Sequence, residues 1–508
     1  MPAQPDVVPP SRTDPLVRAA SESIGGPSGQ HTRGHPWWTP TRVVLAVAAL
    51  TFVLGMVQKT PCVQDNWSGN QLRYAAMCYS DVPYLYSGRG FAAGYVPYTD
   101  NGGRYPAMEY PVVIGYFAYV AARVTQVLGD PPDLTARARL SSVQIYGAPG
   151  VAEETGRYFK VTALLLAPFA LLSAWFLSGV HRRRPWDAML FAASPALALS
   201  GLINWDLLAL TAVAGALWAW SRDRPVLTGV MVGLGTATKL YPLFLLGALL
   251  VVCIRGGRLR AFAAAAGAAV LTWLVLDVPA MAAGFEQWKV FWTYNDDRGA
   301  DLGSLWLVWQ QAGHTVTPGL INTVSLVFLA AVCAAVLALG LSVRRTPRLE
   351  QLGFLIVVGF LLVNKVYSPQ YVLWLLPLAV LARPRWRDVL IWTAGEVLYF
   401  GGVWLYLGGW TASASAGTPD RFYWYAILVR VAAEIYLAVM VVRDVVDPRH
   451  DPVRTDVAEE RTGASLDPVR RASDPPWVGP GHARTDDRAD DGRVPGGQRR
   501  PGARSARG

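Results

Sequence analysis

Between about residues 42 and 443 the chain is a succession of apolar runs separated by short polar joints, many of the runs close to the length that crosses a bilayer. The pattern predicts an all-α, polytopic helical membrane protein. Spans are expected at roughly 42–58, 158–180, 186–200, 207–221, 226–238, 241–254, 261–278, 319–343, 351–366, 371–382, 387–407 and 422–443. Several are short, and the pair over 226–254 also reads as one bent or re-entrant unit. About twelve crossings would leave both ends on one side.

Positive charge orients the bundle. The short joints HRRRP (181–185), SRDRP (221–225), RGGRLR (255–260), RRTPR (344–348) and RPRWR (383–387) are arginine-rich and mark the cytoplasmic face. One apolar stretch breaks this order: a crossing by 110–128 would turn every later arginine loop outward. It is therefore read as a non-crossing juxtamembrane helix. Residues 59–157 then form one long first extracytoplasmic loop, longer than mere connection requires. Segments 1–41 and 444–508 are rich in Pro, Gly, Ser and Arg and poor in large apolar residues, so both are expected to be disordered cytoplasmic tails. The first apolar run lacks a small-residue cleavage site and reads as an anchor.

Composition adds two points. The formal charge of +10 is ordinary for basic cytoplasmic loops and does not call for nucleic acid as a partner. Among 46 basic residues only five are lysines (59, 160, 239, 289 and 365), a bias that suggests a GC-rich bacterial genome. All five map outside or near the outer face. Cys62 and Cys78 share the outer loop, where a disulfide would form and pin the residues after it. No Cys/His cluster has metal-ligand spacing, and neither a metal nor a cofactor is expected.

Charges at the mouths of spans are costly unless paired or facing a wet cavity. They recur in short stretches that map to the outer face: SDVPYLYSGRG with Asp81 and Arg89, GGRYPAMEYPVV with Arg104 and Glu109, and GLINWDLLAL with Asn204 and Asp206. ATKLYPLF adds Lys239, YNDDRGADLGS adds Asp296, Asp297 and Arg298, and NKVYSPQYVLWLLP adds Asn364, Lys365 and Gln370. Each alone reads equally well as a helix cap, a snorkelling side chain or a solvated loop. Together they suit a substrate with a lipid part, a phosphate and hydroxyl groups.

These stretches resemble glycosyltransferase family 87, polyprenyl-phosphate-sugar-dependent enzymes of the GT-C fold that include bacterial mannosyltransferases. The resemblance runs over about 42–443. It implies that Asp81 in SDVPYLY is the catalytic base, and that EYPVV (109–113) begins the juxtamembrane helix, although Val112 stands where the motif has a second proline. Lys239, Tyr241 and Pro242 match a K-x-Y-P element, and Asn204 and Asp206 match a polar outer turn. The same resemblance implies a metal-free inverting transfer on the extracytoplasmic face. The donor is a polyprenyl-phosphate sugar, mannose before arabinose, and the acceptor a glycolipid or cell-envelope polysaccharide. Lys239, Lys365 and Arg298 would neutralise the phosphate. Glu109, Tyr110, Asn204, Asp206, Tyr241 and Gln370 would contact sugar or acceptor.

Two other classes fit the same pattern. A secondary transporter or lipid-linked-substrate flippase also wants a cationic site in a helical bundle, but transporter sites lie near the midplane between internal repeats, and no repeat is evident here. A non-catalytic binding scaffold is the third reading, and it leaves Asp81 without a purpose.

Overall fold

The computed structural model describes residues 7–10, 14–25, 35, 37–69, 71–130, 132–411 and 419–455, and every regular element among them is helical. Six helices are long and apolar enough to cross a membrane: Pro40–Gln64, Val151–Val180, Leu259–Ala283, Pro318–Ser342, Trp386–Leu407 and Arg421–Val446. The chain is thus a polytopic helical membrane protein. Shorter apolar helices accompany them, among them Asp206–Ser221, Pro225–Thr236, Tyr241–Arg255, Leu349–Val363 and Pro369–Ala382. Twelve crossings, which we retain as a proposal, would count these five and the segment over 186–200. That segment is not one helix: it breaks into Pro185–Ala188, Met189–Ala192 and Pro195–Ser200, with Ser194 capping the last.

Local chemistry sets where the long helices begin. Thr39, Thr317 and Asp420 each accept a backbone N–H of the first turn, and Pro40 and Pro318 follow the two threonines at the position where a missing N–H costs nothing. Within the bilayer each helix satisfies its own backbone, and association then relies on close packing. Gly229 and Gly233, four residues apart on Pro225–Thr236, let that helix touch Leu259–Ala283. A Cβ at either would come within 2.0 Å of Ala265 O or 2.3 Å of Ala269 O.

The arginine-rich joints meet at one end of the bundle. Arg348 bonds the Ala382 carbonyl at 2.7 Å and Asp451 at 3.0 Å, Arg184 bonds Asp187 and the Pro452 carbonyl, and Arg383 pairs with Asp388 and Asp444. These contacts correct the expected tail boundaries. The last long helix runs to Val446, and residues as far as 455 dock through the fully buried Asp451. Near the other terminus Pro15–Gly25 is helical, and the carboxylate of Asp14 accepts the Trp386 N–H at 2.8 Å. The rest of the expected C-terminal tail, from 456, lies outside the described residues.

The opposite end carries the long loop. Val112–Val127 has sixteen residues, about 24 Å of helix, and packs on Val151–Val180, where Tyr158 donates to the Ala118 carbonyl at 3.2 Å. A buried knot fastens the loop to the same long helix. Glu154 takes a bidentate pair from Arg137 at 2.7 and 2.9 Å and a hydroxyl from Tyr86 at 2.7 Å. Cys62, at the end of the first long helix, is bonded to Cys78, with Cα atoms 5.8 Å apart. Breaking a cross-link of sixteen residues costs about 3 kcal/mol in the chain-entropy picture. Cys62→Ser and Cys78→Ser are each expected to lower the thermal midpoint in detergent, and the double variant to be no worse than either single one.

Candidate active site

Asp81 opens the short helix Asp81–Gly88, with Ser80 as its cap. Two bonds fix the start of that helix against the turn before Asp206–Ser221: Asp81 N donates to Ile203 O at 2.7 Å, and the Ser80 hydroxyl donates to the same carbonyl at 3.0 Å. The carboxylate is held on both sides. Tyr79 donates its hydroxyl to Oδ1 at 2.9 Å and Tyr110 to Oδ2 at 3.0 Å. Burial pushes the Asp81 carboxyl above the usual carboxylate range, while the two hydroxyls and the Lys239 charge pull it back down. The Tyr79 phenol is raised by the Asp81 charge and the Tyr110 phenol by burial, so both stay protonated as donors. Asp81 nonetheless keeps partial access to solvent.

The structure brings Lys239 and Asp206 together. Lys239 Nζ lies 3.1 Å from Asp206 Oδ1 and over the rings of Tyr110 and Trp374, 4.5 and 5.8 Å from their centroids. Asp206 is fully buried, and its second oxygen accepts the Trp374 indole N–H at 2.9 Å. Asn204, just before this helix, accepts the Asp206 N–H at 2.9 Å. Behind them Trp374 stacks with Tyr241 at 4.7 Å and with Tyr371 at 3.9 Å. Tyr110 is thus common to Asp81, Lys239 and, edge to face, Trp205.

The remaining candidates are placed differently. Glu109 is in an ion pair with Arg89, at 2.6 Å. Arg298 pairs with Asp301, 2.6 Å away, and sits close enough to Tyr371 to affect it electrostatically. Gln370 is buried, and its Oε1 has no partner among the described residues. Lys365 is not drawn to Asp81. Its ammonium is spent on the Asn295 carbonyl at 2.7 Å and on the Asn322 side chain, clamping a loop. That loop pairs with the 364–368 turn through Asp301 N to Lys365 O and Tyr367 N to Leu302 O. Beneath it Arg430 bonds Glu434 and the Gly303 carbonyl, and Tyr367 donates to Glu396. Among the described residues no three His, Cys, Asp or Glu side chains form a metal-holding group.

Three participants do not stand out in the sequence. Tyr79 is adjacent to Ser80–Asp81 but carries no motif of its own, and Trp374 is one of many tryptophans. Lys59 is fully buried in the first long helix and donates to the Tyr79 carbonyl at 2.8 Å, directly behind Asp81. It does leave a signal: it is one of five lysines in an arginine-rich chain.

Residues 155–364 match the family model of glycosyltransferase family 87, and no curated protein matches the chain. The match supports a glycosyltransferase assignment for a membrane protein. The matched segment holds Asn204, Asp206, Lys239, Tyr241 and Arg298, while Asp81, Glu109 and Tyr110 lie before it and Lys365 and Gln370 after it.

The Lys239–Asp206 pair gives a direct test of this geometry. Lys239→Met leaves a fully buried carboxylate held by one indole, whereas Asp206→Asn leaves a lysine with some solvent access. Lys239→Met is expected to cost about 3 kcal/mol of stability and Asp206→Asn less. The double variant should recover part of the loss in a thermal unfolding series.

Proposed function

We propose that the protein moves a sugar, mannose in our reading, from a polyprenyl-phosphate donor to a hydroxyl of a glycolipid or cell-envelope glycan on the extracytoplasmic face, with inversion. The observation that carries this reading is the Asp81 carboxylate. It is gripped by two phenols, partly open to solvent and next to Lys239. The acceptor oxygen attacks the anomeric carbon, the bond from that carbon to the phosphate oxygen breaks, and the lipid phosphate leaves with the bonding pair. Asp81 takes the acceptor proton in the same step.

Lipid phosphate is a stable leaving group, so the site needs cations for it more than an acid. Lys239 and Arg298 are our candidates, Lys as a point charge and Arg as a planar fork. Both have carboxylate partners, Asp206 and Asp301, that an arriving phosphate would have to share. Lys365 would serve by fixing the loop that carries Arg298. Glu109, Tyr110, Asn204 and Gln370 are our candidates for meeting hydroxyl groups, with Glu109 the more exposed and Asn204 and Gln370 buried, while Asp206 and Tyr241 would act from behind them.

Purified wild type and Asp81→Asn, reconstituted in liposomes with radiolabelled polyprenyl-phosphate mannose and native lipid extract, test the assignment. Transfer is expected to fall about 10²- to 10⁴-fold with donor binding kept. Near wild-type transfer by the variant would remove Asp81 as the base, and donor movement across the bilayer without transfer would favour a flippase.

The pH profile supplies an independent check. Because burial holds the Asp81 carboxyl above its ordinary range, activity should be present at high pH and lost as pH falls, at a higher pH than for an exposed carboxylate. Tyr110→Phe removes a donor that favours the ionised form, so its acidic limb should move further up. A limb that stays fixed or moves down would separate the profile from Asp81.

A further inference from the structure

The first long helix carries a charge that the proposed transfer leaves unused. Most of Pro40–Gln64 faces outward, yet Lys59 is 0% exposed. An ammonium so placed does not snorkel to water, and holding it there is costly unless its charge is used. Its hydrogen bond goes to a neutral acceptor, the Tyr79 carbonyl, at 2.8 Å. Among the described residues, Asp81 is the charged group close enough to act on it electrostatically.

The neighbours of Lys59 show what its charge is not needed for. Three side chains within little more than one turn of this helix hold the segment just before Ser80. Gln58 donates its amide to the Ala76 carbonyl at 3.4 Å and to that of Met77, Cys62 is bonded to Cys78, and Lys59 takes Tyr79. Gln58 makes its tie with a neutral amide. An uncharged donor therefore suffices to pin this segment, and position 59 adds a full positive charge at the link nearest Asp81. That link is short. The Tyr79 hydroxyl donates to Asp81 Oδ1 at 2.9 Å, and the ring is kept in place by Trp404 and Tyr84, with centroids 5.2 and 5.7 Å away. The other carboxylate oxygen has a matching arrangement, since Tyr110 donates to Oδ2 and Lys239 lies over the Tyr110 ring. One carboxylate thus stands between two phenols, each backed by a lysine.

We propose, resting on the reading of Asp81 as the base, that Lys59 is a positioning residue for the transfer: it sets the Tyr79 phenol through the Tyr79 carbonyl and supplies a counter-charge to Asp81. A nearby positive charge favours the ionised carboxylate, the form able to take a proton from the acceptor hydroxyl. Lys239 is paired with Asp206 at 3.1 Å, so part of its field at Asp81 is cancelled. The charge of Lys59 is directed at Asp81 itself.

Full-length Lys59→Gln, Lys59→Met and Lys59→Arg would be compared with wild type in proteoliposomes, with polyprenyl-phosphate mannose and native lipid extract. Lys59→Gln keeps a neutral donor, Lys59→Met keeps neither donor nor charge, and Lys59→Arg keeps both. The readouts are donor binding, thermal midpoint and the pH dependence of kcat/KM. Each profile is scaled to its own plateau, so a smaller folded fraction leaves its shape unchanged, and Lys59→Gln carries the test where Lys59→Met does not fold. The other groups facing Asp81, namely Tyr79, Tyr110, Lys239, Glu109 and Tyr371, are common to all four proteins. Lys59→Gln and Lys59→Met are both expected to move the acidic limb up by about one pH unit with donor binding kept, and Lys59→Arg to leave it near the wild-type position. A limb that stays put in Lys59→Gln and Lys59→Met, or that moves as far in Lys59→Arg, would overturn the role of the charge. So would a thermal midpoint lowered in Lys59→Met alone, with Lys59→Gln like wild type throughout, which leaves Lys59 a structural tie. Near wild-type transfer by Asp81→Asn in the same assay would defeat the base assignment itself. That result is told apart from an indifferent Lys59, for which Asp81→Asn stays inactive.

Discussion

The phenol of Tyr110 is the joint on which the end of the molecule that carries the long first loop depends. Its hydroxyl holds Asp81, its ring lies beneath the Lys239 ammonium, its edge meets Trp205 and its carbonyl takes the Tyr98 hydroxyl. The reason so much converges there is the cost of charge near hydrocarbon. Asp81 and Lys239 come from distant parts of the chain, and neither could be held at that depth without hydrogen bonds or a ring face to replace water.

The same constraint explains the pairing of the cations at this end. Arg89 with Glu109, Lys239 with Asp206 and Arg298 with Asp301 are each held close to an acid. The site is therefore close to neutral before any substrate arrives. Under the proposed function a phosphate would enter as a third member of an existing pair, and its binding would be an exchange of partners.

Polar backbone at membrane depth is tolerated only where protein or a wet cavity covers it. Asn204, Lys239 and Gln370 all stand at turns beside short helices, and the long first loop and the 284–317 segment supply the cover. Those covering loops are tied to the inside of the bundle, through the Arg137–Glu154 pair for one and the Arg430 bond to the Gly303 carbonyl for the other. This couples loop position to buried charge rather than to loop–loop contact alone.

Much of the coarse design could be read along the chain. Continuous apolar runs gave the long helices, because a helix must satisfy its own backbone in lipid and needs a fixed length to do so. Arginine-rich joints and a long loop with cysteines and acids separated two chemically different ends. The 186–200 run, by contrast, looked continuous but breaks at Ser194–Pro195, and the apparent tail boundary at 444 overlooked Asp451, which finds Arg348 about a hundred residues away. Asp277 falls inside the expected span 261–278 and was not singled out there, and nothing local shows that Trp288 covers one of its oxygens and leaves the other bare. The sequence by itself determined the class of protein, a polytopic helical membrane protein, and which short stretches carry charge at the mouths of its apolar runs. Only the tertiary structure decided the partners, Tyr110 for Asp81, Asp206 for Lys239 and Asn322 for Lys365. Periodicity and composition are local properties of the chain, whereas a buried charge is satisfied by whatever folding brings within about three ångströms.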